Sequence, residues 1–171
     1  MQDAIGRNLS RARSVGGTGR RAFVRPIIDD LEFALKRLLE NRGVAVLNQV
    51  PATAVFFGVS EDLEEMLGNL MENASKWASH RIEITAKGHA GRLEIVVADD
   101  GPGVPESQRE AILKRGARLD ETVPGQGIGL PIVIDIAEVY AGTFTIERSR
   151  LSGLSAVLRL PGMVRDAGPL H

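Results

Sequence analysis

The chain contains no cysteine in 171 residues, which excludes a disulfide framework, thiolate catalysis and cysteine-based zinc sites and is compatible with a reducing cytoplasm. It also lacks a surplus of either charge. Lys plus Arg number 21 against 22 Asp plus Glu, a formal net charge of -1, so no global field recommends nucleic acid or an anionic membrane as partner. No apolar run approaches the roughly 18 residues needed to cross a bilayer. The first fourteen residues, MQDAIGRNLSRARS, lack the apolar stretch of a secretory signal, so the chain is expected to be soluble as it stands. Internal repeats are absent too. What remains is a length suited to one domain of moderate core with a short appendage.

Residues 1 to 25 are rich in arginine (Arg7, Arg11, Arg13, Arg20, Arg21, Arg25) and broken by Gly16, Gly17, Thr18 and Gly19, the composition of a short helix and a flexible link. From Pro26 the pattern turns helical. Ile27, Leu31, Leu35 and Leu38 recur at helical spacing, Pro26 suits a first turn and Gly43 a stop, which predicts a helix over about 26–41. Runs at 44–50 and 55–59, parted by Pro51 and Ala52, read as a hairpin or a pair of edge strands. Ser60 is the expected N-cap of a second helix over about 61–79, with Glu61, Asp62 and Glu64 opposing its dipole. The apolar stripe of that helix is Leu63, Leu67, Leu70, Ala74 and Trp77. Residues 81–87 and 92–98 alternate like neighbouring strands joined across Gly88 to Gly91. A turn-rich stretch from Asp99 to Gly129 precedes a helix to about Tyr140 and two closing strands, 143–148 and 155–160, around Ser152-Gly153.

Three places carry unusual residues for their context. On the second helix Asn69, Asn73 and Lys76, with Glu65 one turn earlier, form one polar stripe beside the apolar one. Asparagine in mid-helix costs roughly half a kcal/mol because its amide competes for backbone groups, so two of them one turn apart suggest a ligand. Amide oxygens suit a hard cation such as Mg²⁺, and an ammonium farther along could meet a phosphate; a plain solvated face is the alternative. The second place is Asp99-Asp100-Gly101-Pro102-Gly103-Val104 at the end of an apolar strand, a tight turn with a carboxylate at its mouth or an ordinary acidic turn. The third is Gly125-Gln126-Gly127-Ile128-Gly129-Leu130, leading into an apolar helix, a plausible phosphate cradle. It fits neither the Rossmann fingerprint nor the P-loop. Between the last two lies a stretch from Glu106 to Pro124 with little core signal, the composition of a lid or a disordered segment, in which Arg118 is a candidate phosphate contact.

Taken in order, NLMENASKW (69–77), DDGPGV (99–104) and GQGIGL (125–130) resemble the N, G1 and G2 boxes of the ATP-binding domain of bacterial sensor histidine kinases, in the gyrase/Hsp90/histidine-kinase/MutL superfamily. RGARLD with PGQGIGL resembles the PhoQ-type group, whose lids lack a phenylalanine-bearing box. The resemblance implies a two-layer α/β sandwich, a mixed sheet backed by helices, with ATP and Mg²⁺ held between the helices and a lid. It implies Asn73 as metal ligand, helped by Asn69 and Gln126, Lys76 and Arg118 as phosphate contacts, with Asn69, Lys76 and Arg118 as the catalytic set, and Asp100 as acceptor for the adenine amine. Gly101, Gly103, Val104, Gly125, Gly127, Ile128, Gly129 and Leu130 would shape the pocket. Val123 stands where PhoQ-like lids carry a second basic residue, and Trp77 where tyrosine is common.

Hydrolytic relatives place a glutamate base where this chain has Asn69, and an amide cannot take that proton; the resemblance therefore implies transfer to a histidine. None of the three histidines present, His80, His89 and His171, lies in the pattern of a phosphoacceptor helix. The expected division is a remnant of a dimerisation helix and linker at 1–25, the catalytic domain at 26–163 and a tail at 164–171. The chain is thus expected to be a largely monomeric piece of a membrane-anchored dimer, with its partners the dimerisation domain and a response regulator. A superfamily ATPase or serine kinase, and a non-catalytic nucleotide-binding module, are the competing readings.

Overall fold

The computed structural model describes residues 19–114 and 129–165. These form a mixed sheet with helices on one face, in the order β1 (Ala22–Phe23), α1 (Val24–Arg42), β2 (Ala45–Asn48), β3 (Ala54–Phe56), α2 (Ser60–Trp77), β4 (Arg81–His89), β5 (Arg92–Asp99), α3 (Glu106–Ile112), α4 (Gly129–Val139), β6 (Thr143–Arg148) and β7 (Leu154–Val164). The sheet runs β1-β3-β7-β5-β4-β2, with β6 also paired to β7. All pairings are antiparallel except β2 with β4.

Alternation in β4, β5 and β7 decides which side the helices cover. Ile82, Ile84, Leu93, Ile95, Leu158 and Leu160 face the helices and are buried to 1% exposure or less. Against them pack Leu63, Met66, Leu67, Leu70 and Met71 of α2, together with Ile28 of α1 and Val133 and Ile136 of α4. Each such side chain stabilises the fold by about 1.5 to 3 kcal/mol relative to exposure. Off this core, Glu83 is buried between the guanidinium groups of Arg81 and Arg150, and Arg159 pairs with Glu94 at 2.9 Å.

The helix read from Pro26 starts two residues sooner, at Val24, and ends at Arg42, where Gly43 adopts φ 65° and returns its N–H to Glu40 and Leu39. Ala22–Phe23, read as part of a linker, pairs with β3 inside the sheet. The expected hairpin across Pro51-Ala52 does not form. Although adjacent in sequence, β2 pairs with β4 at one edge and β3 pairs with β7 and β1 near the other, because α2 carries the chain over the sheet to make the parallel β2-β4 pairing. Ser60 is not an N-cap either: Val59 holds that place, and the Ser60 hydroxyl lies 3.1 Å from Glu64 Oε1 inside the first turn. Residues Glu106–Ile112, read as part of a segment with little core signal, form α3, which has no buried residue. The β4-β5 connection turns on Ala90 and Gly91, both at positive φ, as a two-residue hairpin loop requires.

Leu67→Ala is expected to lower the unfolding free energy by about 2 to 5 kcal/mol, whereas Leu47→Ala on edge strand β2, 39% exposed, is expected to change it by about 0.5 kcal/mol. Urea titration of the two variants compares them directly.

Candidate functional site

The polar stripe of α2 lies at the margin of the core. Glu65, Asn69, Asn73 and Lys76 are all half-buried, flanked by fully covered Met66, Leu70 and Ala74. Asn69 donates its amide N–H to the Glu65 carbonyl at 2.7 Å. This turns its oxygen toward the start of α4: a Cβ added at Gly129 would stand 3.1 Å from Asn69 Oδ1. Glycine at that position therefore lets the first and third sequence motifs meet. Lys76 reaches back one turn to Glu72 at 3.1 Å, with 29% of its side chain exposed. Trp77 is half-buried at the end of the helix, so it is an edge residue of this region and not part of the core.

The two carboxylates that end β5 have opposite surroundings. Asp99 is 2% exposed and its Oδ1 accepts the N–H groups of Gly101 at 2.9 Å and Leu154 at 3.2 Å. Among the described residues no donor meets its Oδ2. Burial raises its pKa; the two N–H bonds work against that, and the neighbouring charge of Asp100 adds to it. A raised pKa marks a more basic, hence stronger, hydrogen-bond acceptor. Asp100 is instead committed to the backbone, accepting from Ser79 (2.9 Å), His80 (3.0 Å) and Arg81 (3.0 Å). Burial acts to raise its pKa, but the bonds from His80, Arg81 and Ser79 outweigh this and hold it below the ordinary 3.8.

The adenine-acceptor role assigned to Asp100 from sequence therefore meets a carboxylate already engaged by three N–H groups, while the buried acceptor with a spare oxygen is its neighbour. Sequence reasoning missed Asp99, though a signal existed: Leu93, Ile95, Val97 and Asp99 share the inward face of β5 by simple alternation. It also missed that the β6-β7 turn, read only as a Ser152-Gly153 connection, meets Asp99. There Leu154 supplies an N–H to Asp99, and a Cβ on Gly153 would stand 2.6 Å from the Gly101 nitrogen. Gly103 has φ 69° and approaches the Gly153 carbonyl so closely that a Cβ would stand 3.1 Å from its oxygen. Gly101 packs on the Trp77 carbonyl. Val104 is half-buried against the core, and Leu130 is 9% exposed in the first turn of α4. Arg118, Gly125, Gln126, Gly127 and Ile128 lie outside the described residues.

Residues 58–163 match the family described as histidine kinase-, DNA gyrase B-, and HSP90-like ATPase. The chain is 40% identical over 156 residues to the sensor protein PhoQ of Escherichia coli (strain K12), covering 90% of this chain and 32% of that protein. It is also 40% identical over 163 residues to the sensor protein kinase CarS of Pseudomonas aeruginosa, covering 94% and 36%. The chain thus spans about a third of the length of these curated relatives. Among solved structures, the mycobacterial sensor histidine kinase MprB superposes with a TM-score of 0.72 at 25% identity, over 85% of this chain and 99% of that one. Full-length ShkA in complex with AMPPNP gives 0.73 at 20% identity, over 96% and 36%, and supports the fold alone. The two-layer α/β architecture expected from sequence is the one these structures have.

Asp100→Ala is expected to cost about 2 kcal/mol at neutral pH, because three backbone donors lose a charged acceptor. With its folded pKa below the unfolded value, Asp100 contributes stability that is present above the ordinary carboxylate range and lost as pH falls through the lowered folded value. The gap between wild type and variant should therefore close on acidification, as followed by thermal unfolding at a series of pH values.

Proposed function

We propose, from the premise that the chain belongs to the histidine kinase-, DNA gyrase B-, and HSP90-like ATPase family, that it is the ATP-binding catalytic part of a sensor histidine kinase. It passes the γ-phosphoryl group of ATP to a histidine on a separate dimerisation domain. The observation that carries this reading is the pairing of a buried carboxyl with a spare oxygen, Asp99, with an amide and ammonium stripe on the adjoining helix, Asn69, Asn73 and Lys76. In this reading Asp99, in place of Asp100, accepts from the adenine amine, and Gly101, Gly103 and Val104 form the turn against the base. Lys76 exchanges its bond to Glu72 for a phosphate oxygen. Arg118, Gly125, Gln126, Gly127, Ile128, Gly129 and Leu130 complete the phosphate side.

Mg²⁺ suits this donor set. Its preferred ligands are oxygens, and Asn73 with the Asn69 oxygen turned toward α4, assisted by Gln126, would hold it. Among the described residues no cluster of three His, Cys, Asp or Glu offers a competing site. When bound, the ion would neutralise charge on the phosphates. The protein's own part is to orient: Asn69, hydrogen-bonded to Glu65, supplies a polar group that cannot remove a proton from water. Transfer to an incoming histidine is thereby favoured over hydrolysis.

The catalytic domain extends back from residue 26 to Ala22, since β1 belongs to the sheet, and forward from 163 to Val164, which ends β7 and pairs with Ala54, with residues 1–21 and 165–171 as flanking segments. The partners in the parent protein are its own dimerisation domain and, downstream, a response regulator. In this reading the parent is a plasma-membrane protein; in this chain no helix among the described residues is long and apolar enough to cross a membrane. The isolated chain is expected to be a monomer in solution.

Calorimetric titration with a non-hydrolysable ATP analogue should give Mg²⁺-dependent binding that Asn73→Ala abolishes; unaltered binding in that variant would remove the metal assignment. Asp99→Asn keeps an oxygen for Gly101 and Leu154 but presents an amide N–H donor to the adenine amine. It is expected to weaken ATP by about tenfold or more without weakening GTP, and equal loss for both nucleotides would contradict the base-recognition role. Phosphorylation of a supplied dimerisation domain, with little release of free phosphate, is the activity expected of the wild type.

A further inference from the structure

The corner between α2 and β4 is held from two sides by groups that the nucleotide reading does not use. Arg42, the last residue of α1, directs its guanidinium at the end of α2, where Nη1 donates to the carbonyls of Ser75 and Lys76 and Nη2 to that of Ala78 at 3.2 Å. Such carbonyls at a helix C-terminus lack N–H partners within the helix and carry its negative dipole end, so a planar cationic fork from a neighbouring element suits them. From the other side Asp100 takes the N–H groups of Ser79, His80 and Arg81. The main chain itself closes the corner: Ala45 N–H donates to His80 O at 2.8 Å and Asp100 N–H to Arg81 O at 3.2 Å. The segment so fixed carries Lys76 in its last turn and Asn73 just before it, and its Trp77 carbonyl abuts Gly101.

We infer that Arg42 is a positioning residue: it fixes the last turn of α2, and through it Asn73 and Lys76, relative to the Asp99–Gly101 turn. The inference rests on the proposed nucleotide reading for what it positions, and on hydrogen bonds alone for how. Misplacement of that turn should be felt on the metal-phosphate side of the ligand and not at the base, since Asp99 is held independently by Gly101 and Leu154.

The test uses the full chain with Arg42→Ala, Arg42→Gln and Arg42→Lys, below the melting temperature of each. Calorimetry with a Mg²⁺-loaded ATP analogue should show about a tenfold loss in the Ala and Gln variants and a smaller one in Lys. ADP affinity in EDTA should stay within about threefold of wild type. Amide hydrogen exchange without nucleotide should accelerate at 73–78 and not in β5. Unchanged Mg²⁺-ATP affinity, or a parallel fall in both nucleotides, overturns the positioning role. If the wild type itself binds no nucleotide, the functional reading fails instead, and the exchange rates still decide Arg42: no acceleration confined to 73–78 overturns it.

Discussion

Successive side chains of a strand point to opposite faces, and at the end of β5 this alternation divides two adjacent carboxylates between two duties. Asp99 follows Leu93, Ile95 and Val97 inward and is covered by the core. Asp100 emerges on the other side, where the three exposed N–H groups of the α2-β4 corner need an acceptor. Without Asp100 the α2-β4 corner would lose the acceptor of its three N–H groups; without Asp99 the turn through Gly101 would lose the acceptor that organises it.

Helix α2 answers to the same constraint from its own side. One of its faces must bury Leu63, Met66, Leu67, Leu70 and Met71 against the sheet, and this fixes the rotation of the helix about its axis. Once that rotation is set, Asn69, Asn73 and Lys76 can only lie along the margin between core and solvent. The unfavourable helix propensity of two asparagines is small, roughly half a kcal/mol each, beside the burial of five large apolar side chains at about 1.5 to 3 kcal/mol each. A polar stripe is thus carried on a helix whose stability comes from elsewhere.

Close approach of backbones does the remaining work. Gly129 admits the start of α4 to Asn69, Gly101 admits the first turn after β5 to the Trp77 carbonyl, and Gly153 admits the β6-β7 turn to Asp99. In the sequence the first two stand inside recognisable motifs. Gly153 stands in an ordinary Ser-Gly turn, and nothing in its neighbours tells that it will meet a residue more than fifty positions away. Likewise Pro51-Ala52 looks like a hairpin connection, because local composition marks a turn but not where the following strand pairs; the burial of α2 over the sheet sends β2 and β3 to separate places.

The sequence by itself determined the class of fold, the helices and most strands, and the residues of the α2 stripe, since period 3.6 and period 2 are local properties. It also determined the order of three motifs whose joint occurrence marks the family. The tertiary structure alone decided that Leu154 and Gly153 meet Asp99, that the N–H groups of the α2-β4 corner engage Asp100, that β2 pairs in parallel with β4, and that an arginine ending α1 meets the end of α2. These are contacts between residues distant in the chain. Their partners are chosen by packing and by the need to satisfy buried N–H and C=O groups, and no local pattern records that choice.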